Sequence, residues 1–446
     1  MSGATPAPTS IWSHPLDRDI LRLALPALGA LVAEPLYLLT DTAIVGHLGT
    51  DALAGLAVAS SVLLVGYSIF IFLAYGTTAA VARLLGAGDE REAAHQAVQG
   101  MWLAALIGIA LVALGLAFAD PLVGAIGARG VVADNAAVYL RISLLGVPPL
   151  LLTLAGTGYL RGLQDTRTPL LVAVGSAVLN LILEVVLIYG FGLGIGASAA
   201  ATVVAQIAAA AVYLWWVRRA VRQHGVGLTP HWSTIAGLAR VGRDLFIRTV
   251  ALRGSLTLAT AVAARLGTVP LAAHQISFEL WSFLALALDA IAIAGQSMIG
   301  RFLGADDEAQ ARAAGRRMLA WGVAAGAAMG LLVAALHGLL PGIFTDDPEV
   351  AAVAATLLLW VAVLQPVNAV VFVLDGLLIG AGDLGYLAIA MVIGLAVFAP
   401  AAGAVLATGA GITWLWAAIA LFMVSRLVTL GVRWRGTAWA VTGATR

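Results

Sequence analysis

ILRLALPALGALVAEPLYLLTDTAIVGHLG, residues 20–49, decides the fold. After Arg22 its only formally charged side chains are Glu34 and Asp41, so the stretch is long and apolar enough to cross a bilayer as a helix, for which about 20 such residues suffice. Carboxylates at lipid depth are costly and usually face a bundle interior or a watery path. Tyr37 and Asp41 are four residues apart and Glu34 is seven before Asp41, which places all three near one helix face. A carboxylate in that position can hold a proton or a cation.

Composition extends the conclusion to the whole chain. The 446 residues are 61% hydrophobic and 11% charged, with a mean hydropathy of +1.00, too little charge to cover a soluble surface of this size. The apolar runs are helix-length rather than alternating ten-residue strands, which favours a helical bundle over a β-barrel. Net charge is +1 and every basic residue is arginine, so no clustered positive excess points to nucleic acid. Cysteine is absent, which excludes disulfides, thiol catalysis and cysteine-ligated metals. The stretch before Ile20, with Pro6, Pro8 and Pro15, lacks the features of a signal peptide, so the first span is expected to remain attached.

Hydropathy predicts twelve spans, at 20–43, 52–82, 98–120, 135–157, 168–190, 195–217, 246–264, 270–299, 316–338, 350–373, 384–406 and 412–431. Arginines concentrate at the start, in the even-numbered connections, between Arg218 and Arg243, and at the C-terminal end. The opposite connections hold Arg129, Arg265 and the acidic Asp346, Asp347 and Glu349. By the positive-inside rule both termini are cytoplasmic. A displacement of 218 residues superposes Leu48, Gly49 and Thr50 on Leu266, Gly267 and Thr268. It also superposes Arg83, Leu85 and Gly86 on Arg301, Leu303 and Gly304, and Gly158, Gly162 and Asp165 on Gly376, Gly380 and Asp383. The expected fold is an all-α integral membrane protein of twelve transmembrane helices. They form two parallel-repeat six-helix lobes related by a pseudo-twofold axis along the membrane normal. The boundaries are 1–217 for the N-terminal lobe, 218–243 for a cytoplasmic linker, and 244–446 for the C-terminal lobe and tail.

Asp41 is the leading candidate for binding and releasing a proton; its alternative is a helix-end carboxylate in contact with solvent. Asn180 and Glu184, four apart on the fifth span, can coordinate a cation or form a proton-dependent network, or else a polar seam between helices. Tyr139 and Thr202 add hydroxyls, with an interfacial anchor and intrahelical back-bonding as their alternatives. Glu34 reads equally as a cavity group or a structural bond. The second lobe does not repeat these charges, since the displacement takes Asp41 to Ala259 and Glu184 to Ala402. Its own membrane-depth carboxylates are Glu279, Asp289 and Asp375, each read equally as lining a cavity or forming an internal ion pair. Arg253 is a candidate counter-charge or a snorkelling side chain. His47 and His274 fit local turn or interface contacts. The Arg83–Glu90 and Arg301–Glu308 stretches read as cytoplasmic turns, because neither has the P-loop lysine and hydroxyl. No serine triad or paired-metal spacing is present, so no enzyme is indicated.

These segments together resemble the multidrug and toxic compound extrusion family, in its DinF-like branch. The resemblance rests on Glu34-Pro35-Leu36-Tyr37 with Asp41-Thr42-Ala43, on Arg83 through Gly88, on Gly158-Tyr159-Leu160-Arg161-Gly162 with Gln164-Asp165-Thr166, and on Leu266-Gly267 through Gln275; it spans about residues 15 to 430. It implies twelve helices and cation-coupled export of amphipathic, often cationic compounds. It implies a coupling network centred on Asp41, with Tyr37 and Tyr139 as aromatic pocket members and Asn180 and Thr202 as polar ones. Where the family pattern commonly has aspartate this chain has Glu184, which keeps the charge but lengthens its arm. Asp375 resembles a carboxylate used in another branch, whose seventh-helix glutamate has no match near Arg253.

The expected function is therefore a proton-coupled antiporter working by alternating access, with no cofactor. Asp41, Glu184, Asn180 and Thr202 couple the cation, and Tyr37, Tyr139, Glu34, Asp289 and Asp375 line the substrate pocket. Sodium at Asp41, Asn180, Glu184 and Thr202 is the alternative ion, with no other metal indicated, and a flippase for a lipid-linked precursor is the alternative activity. An intramembrane enzyme is the third class considered. Membrane lipids and small cationic substrates are the expected partners, with no nucleic acid. The chain is expected to act as a monomer in a prokaryotic inner membrane.

Overall fold

In the computed structural model residues 15–445 are described, with backbone only over 64–69. The sequence reading of Pro6 and Pro8 lies outside the described residues. The described chain is helical almost throughout. Its α-helices are α1 (Pro15–Gly46), α2 (Thr50–Ser68), α3 (Phe72–Gly86), α4 (Glu90–Ala125), α5 (Gly130–Leu144), α6 (Val147–Gly162), α7 (Arg167–Glu184), α8 (Ile195–His224), α9 (Trp232–Leu266), α10 (Thr268–Gly304), α11 (Glu308–Leu336), α12 (Pro348–Gly380), α13 (Leu384–Thr408) and α14 (Ile412–Arg435). Large apolar side chains lie bare on these helices, among them Leu171, Leu331 and Val363, each more than 70% exposed. On a spanning helix such surface faces lipid.

Among the described residues ten helices are long and apolar enough to span a membrane, and α5 with α6, bent by 46°, make an eleventh. The expectation of twelve uninterrupted spans is corrected at two windows. The 52–82 window is split into α2 and α3 by a 3₁₀ turn over Ile69–Ile71, and the 135–157 window is split at Leu145–Gly146. The second break has a plain cause. Gly146 weakens the helix, and Pro148 and Pro149 cannot donate to the carbonyls of Leu144 and Leu145.

The chain divides into two compact units. The N-unit comprises Gly29–Val250 together with the tail from Gly443, and the C-unit comprises Ala251–Thr442 together with the part of α1 up to Leu28. The divisions fall inside α1 and α9 rather than in the 218–243 stretch expected as a linker. That stretch is mostly helix. Gly225, at φ 63°, ends α8, and only 225–231 connects α8 to α9. The connection is held on α4 by Trp102 Nε1 donating to Leu228 O at 2.8 Å and by Gln99, which donates to Thr229 O at 3.1 Å and accepts from His231 N at 2.8 Å.

Each unit contains the same packing motif, 218 residues apart. Helix starts and ends correspond at Thr50 and Thr268, Gly86 and Gly304, Glu90 and Glu308, and Gly162 and Gly380. Asp89 caps α4 by accepting from Glu92 N, and Asp307 caps α11 by accepting from Gln310 N, both at 2.9 Å. In the N-unit α6 crosses α3 so closely that a Cβ on Gly158 would sit 2.5 Å from Ala74 O; in the C-unit a Cβ on Gly376 would sit 2.5 Å from Ala292 O. Later the register slips by one, with α7 and α8 starting at Arg167 and Ile195 but α13 and α14 at Leu384 and Ile412. The two copies differ where it matters. α2 with α3, and α5 with α6, are broken in the N-unit, whereas their counterparts α10 and α12 are continuous.

Candidate functional site

Four helices of the N-unit bring their polar stripes together. On α1 Tyr37 and Asp41 are one turn apart; on α5 Tyr139 precedes Ser143 by a turn; α7 offers Asn180 and Glu184; α8 offers Ser198, Thr202 and Gln206 at successive turns. Asp41, Asn180 and Glu184 are buried, at 4%, 2% and 0% exposure. The Tyr37 and Thr202 hydroxyls are hydrogen-bonded at 2.7 Å. Ser198 Oγ stands 2.6 Å from Asp41 Oδ1 and 3.1 Å from Glu184 Oε1, and the Tyr139 hydroxyl points at Asp41 Oδ2 from 3.5 Å.

A serine hydroxyl has one hydrogen to donate. It donates to Asp41 Oδ1 and reaches Glu184 Oε1, so the two carboxylates share one donor unless Glu184 carries a proton and donates to the serine oxygen. With both carboxylates ionised, two anions in a buried site share that single donor and repel. The arrangement therefore suits one proton on the Asp41–Glu184 pair. Glu184 Oε2 and Asn180 Oδ1 are also buried without a hydrogen-bond partner among the described residues. Together with Asp41 and Ser198 they form an all-oxygen donor set, the chemistry a hard cation requires.

The helix after Glu184 widens to a π-helix over Val185–Gly190, a deviation often found at functional sites. It brings Ile188 against Ile44 and Ala197, with Leu48 and Leu187 beside them. Each of the three core residues lies within a turn of a site residue, so an apolar plug abuts one end of the acid pair. On another side Asp41 opens onto a cavity of about 220 Å³, whose wall includes Tyr37, Tyr139, Thr202, Ser60, Ser143 and Gln206. Asn180 and Glu184 lie outside that wall.

The other candidates are placed differently. Glu34 on α1, Glu279 on α10 and Arg253 on α9 are exposed, and Asp289 on α10 is half-buried. Asp375 is buried in an ion pair, accepting from Arg426 Nη2 at 2.7 Å, while the guanidinium lies 5.9 and 5.7 Å from the rings of Phe372 and Phe422. The counter-charge is thus Arg426 of α14, not Arg253. His47 Nδ1 bonds Ala43 O within its helix at 2.7 Å, and His274 is buried between Phe278 and Trp416. Among the described residues no group of three His, Asp or Glu side chains gathers that could hold a metal ion.

Sequence reasoning missed Ser198, Ser143 and Gln206. The signal was present, since Ser198 and Gln206 flank Thr202 at four-residue spacing and Ser143 follows Tyr139 at the same interval.

A multi-span helical membrane protein with buried carboxylates beside a largely apolar cavity, walled also by Leu38, Leu63, Val147 and Leu150, fits a membrane carrier. The MatE family model matches residues 26–186 and 246–405, and the chain belongs to that family of transporters, which carry solutes rather than catalyse reactions. The chain is 36% identical over 430 residues to Protein DETOXIFICATION 44, chloroplastic, of Arabidopsis thaliana, covering 93% of this chain and 81% of the relative. It is 29% identical over 450 residues to DNA damage-inducible protein F of Escherichia coli, covering 96% and 95%, which relates it to the DinF-type branch. The solved structure of a MOP superfamily transporter from Pyrococcus furiosus shares the fold at a TM-score of 0.85, with 20% identity over 98% of this chain and 99% of that one.

Proposed function

We propose that this chain is a proton-coupled antiporter that exports amphipathic, often cationic compounds across a prokaryotic inner membrane. It works as a monomer of two six-helix lobes with both termini cytoplasmic, by alternating access. The observation that carries the reading is Ser198 between two buried carboxylates, an arrangement suited to a single exchangeable proton. Asp41 belongs both to that pair and to the cavity wall, so a cation entering the cavity and a proton on the pair compete for the same negative charge. Coupling of this kind needs differential binding, which the competition supplies. Tyr139 points at Asp41 and Tyr37 pairs with Thr202 beside it, while Glu34 and, in the C-unit, Asp289 are proposed to meet substrate outside the described cavity. Family relatives from three bacteria are described as probable multidrug resistance proteins NorM, which agrees with drug-like cargo.

The unpartnered Asn180 Oδ1 and Glu184 Oε2 favour sodium as the second reading. Proteoliposomes given a proton gradient or a sodium gradient separate the two. Proton-driven export that disappears in Asp41→Asn while substrate binding survives supports the first; export driven by sodium alone moves the assignment to the second. Export intact in Asp41→Asn under both gradients would remove Asp41 from the mechanism.

A further inference from the structure

The C-terminal end of α8 carries a surface that the carboxylate pair and its cavity do not use. Along one face of that helix Val204, Ile207 and Leu214 follow at intervals of one and two turns, all exposed, and the stripe runs on through the exposed Trp215 to Arg218 and Arg222. The helix is long and apolar enough to span a membrane. A spanning face that turns from aliphatic to tryptophan to arginine passes from acyl chains through the interfacial belt to the headgroups.

The basic end is built, not merely charged. The Trp215 and Trp216 rings meet edge to face with centroids 5.2 Å apart, and the Arg219 guanidinium lies 5.9 and 5.6 Å from them. Stacking of this kind fixes the plane of the guanidinium and leaves its N–H groups to donate within that plane. α7 packs beside α8, joined through the short 191–194 connection, and Ser176 Oγ donates to Ala205 O at 3.2 Å. Nine residues back from Ser176 and nine on from Ala205, Arg167 stands level with Leu214, with the exposed Leu171 and Val174 extending the apolar wall along α7. Arg167, Arg218, Arg219 and Arg222 are all exposed, and none has an ion-pair partner among the described residues. Glu90 of α4 approaches this end of α8 at His224, 3.8 Å away, rather than at an arginine. Elsewhere Arg312 is paired with Glu308, Arg317 with Asp17 and Arg433 with Asp383. Unpaired positive charge above an apolar wall is complementary to a ligand with an anionic head and a long apolar tail.

We propose that the end of the α7–α8 pair binds an anionic phospholipid of the leaflet on that side. Arg167, Arg218, Arg219 and Arg222 hold its phosphate, and its acyl chains lie on Leu171, Val204, Ile207 and Leu214. Arginine suits this role because its planar fork matches a phosphate bidentately. A zwitterionic choline headgroup brings its own cation to the arginines and forfeits most of the attraction. One basic side chain near an anionic surface is worth about fivefold in binding, so several acting together give a preference of about tenfold or more. The site depends neither on the coupling ion nor on the exported cargo.

The test is native mass spectrometry of the full chain released from detergent with phosphatidylglycerol or phosphatidylcholine of the same acyl chains. Wild type is expected to retain phosphatidylglycerol at least about tenfold more tightly. Combining Arg167→Gln, Arg218→Gln, Arg219→Gln and Arg222→Gln is expected to bring the two lipids within about twofold of each other. Phosphatidylcholine binding is expected to stay unchanged in that variant, which also reports that the surface is still folded. A control chain with Arg18→Gln, Arg22→Gln, Arg316→Gln and Arg435→Gln loses as many exposed charges and is expected to keep the preference. Equal retention of the two lipids by wild type, a preference that survives the first variant, or one that the control loses as well would overturn the site. Displacement of phosphatidylglycerol by inorganic phosphate would overturn it too, assigning the arginines to a free anion rather than to a lipid.

Discussion

Ser198 lies between Asp41 and Glu184, and removing its hydroxyl leaves two buried carboxyl groups without the bridge that accommodates one proton between them. Ser198→Ala is therefore expected to cut gradient-driven export by about tenfold, the scale of one lost hydrogen bond to a charged group, while Ser198→Thr retains it. Initial rates in proteoliposomes check this. A proton displaced from the pair by substrate is expected to appear in weak buffer with a pH-indicator dye, and to be lost in Asp41→Asn, Glu184→Gln. In the C-unit, Asp375→Asn strands the buried Arg426 charge and is expected to destabilise the protein by about 3–5 kcal/mol, whereas Asp375→Leu, Arg426→Met removes both charges and costs much less. Thermal unfolding in detergent distinguishes the two. Carboxylates were legible as single residues because each is conspicuous in an apolar run. Their partners were not: nothing local to Asp375 names Arg426, which is 51 residues away. Ser198, an ordinary residue in an alanine-rich helix, gains its meaning only from what two other helices place beside it.

At the scale of elements, helices approach each other backbone to backbone at particular glycines. Gly158 on α6 and Gly376 on α12 each lie against a carbonyl of the neighbouring helix, and a methyl group there would have to push backbone apart. Gly158→Ala and Gly376→Ala are expected to cost about 1–3 kcal/mol or more through overpacking. Gly175 on α7 and Gly403 on α13 have nothing within 4 Å of a built Cβ. Alanine at either is expected to be neutral or to stabilise by up to about 1 kcal/mol through helix propensity. Thermal midpoints of the four single variants, measured side by side, test whether close approach rather than composition governs them. Element existence was legible from hydropathy, because lipid-length apolar runs have few alternatives to helix. Element continuity was not. The window over 135–157 reads as one apolar span, and the Gly146, Pro148 and Pro149 that break it are also common inside unbroken membrane helices; Pro366 leaves α12 intact.

At the scale of the molecule, the repeat explains both what sequence could foresee and what it could not. A displacement of 218 residues reproduces helix ends, caps and close approaches in both units, so the scaffold was readable by comparing the chain with itself. The site lies where the copies diverge. Asp41 faces Ala259 in the alignment, and the broken α5–α6 pair faces the continuous α12. A break with prolines in its first turn lacks helical hydrogen bonds that the intact copy retains, so amides around it open to solvent without unfolding the rest. Hydrogen exchange read by mass spectrometry on the protein in nanodiscs is accordingly expected to show residues 143–150 exchanging at least about tenfold faster than residues 361–368, their counterparts in α12. Saturating a bound organic cation should slow the first segment and leave the second unchanged, because only the first lines the described cavity. Equal exchange in the two segments would mean that the bend is as well protected as the unbroken helix, and that the asymmetry of the two copies is one of shape without a difference in local stability.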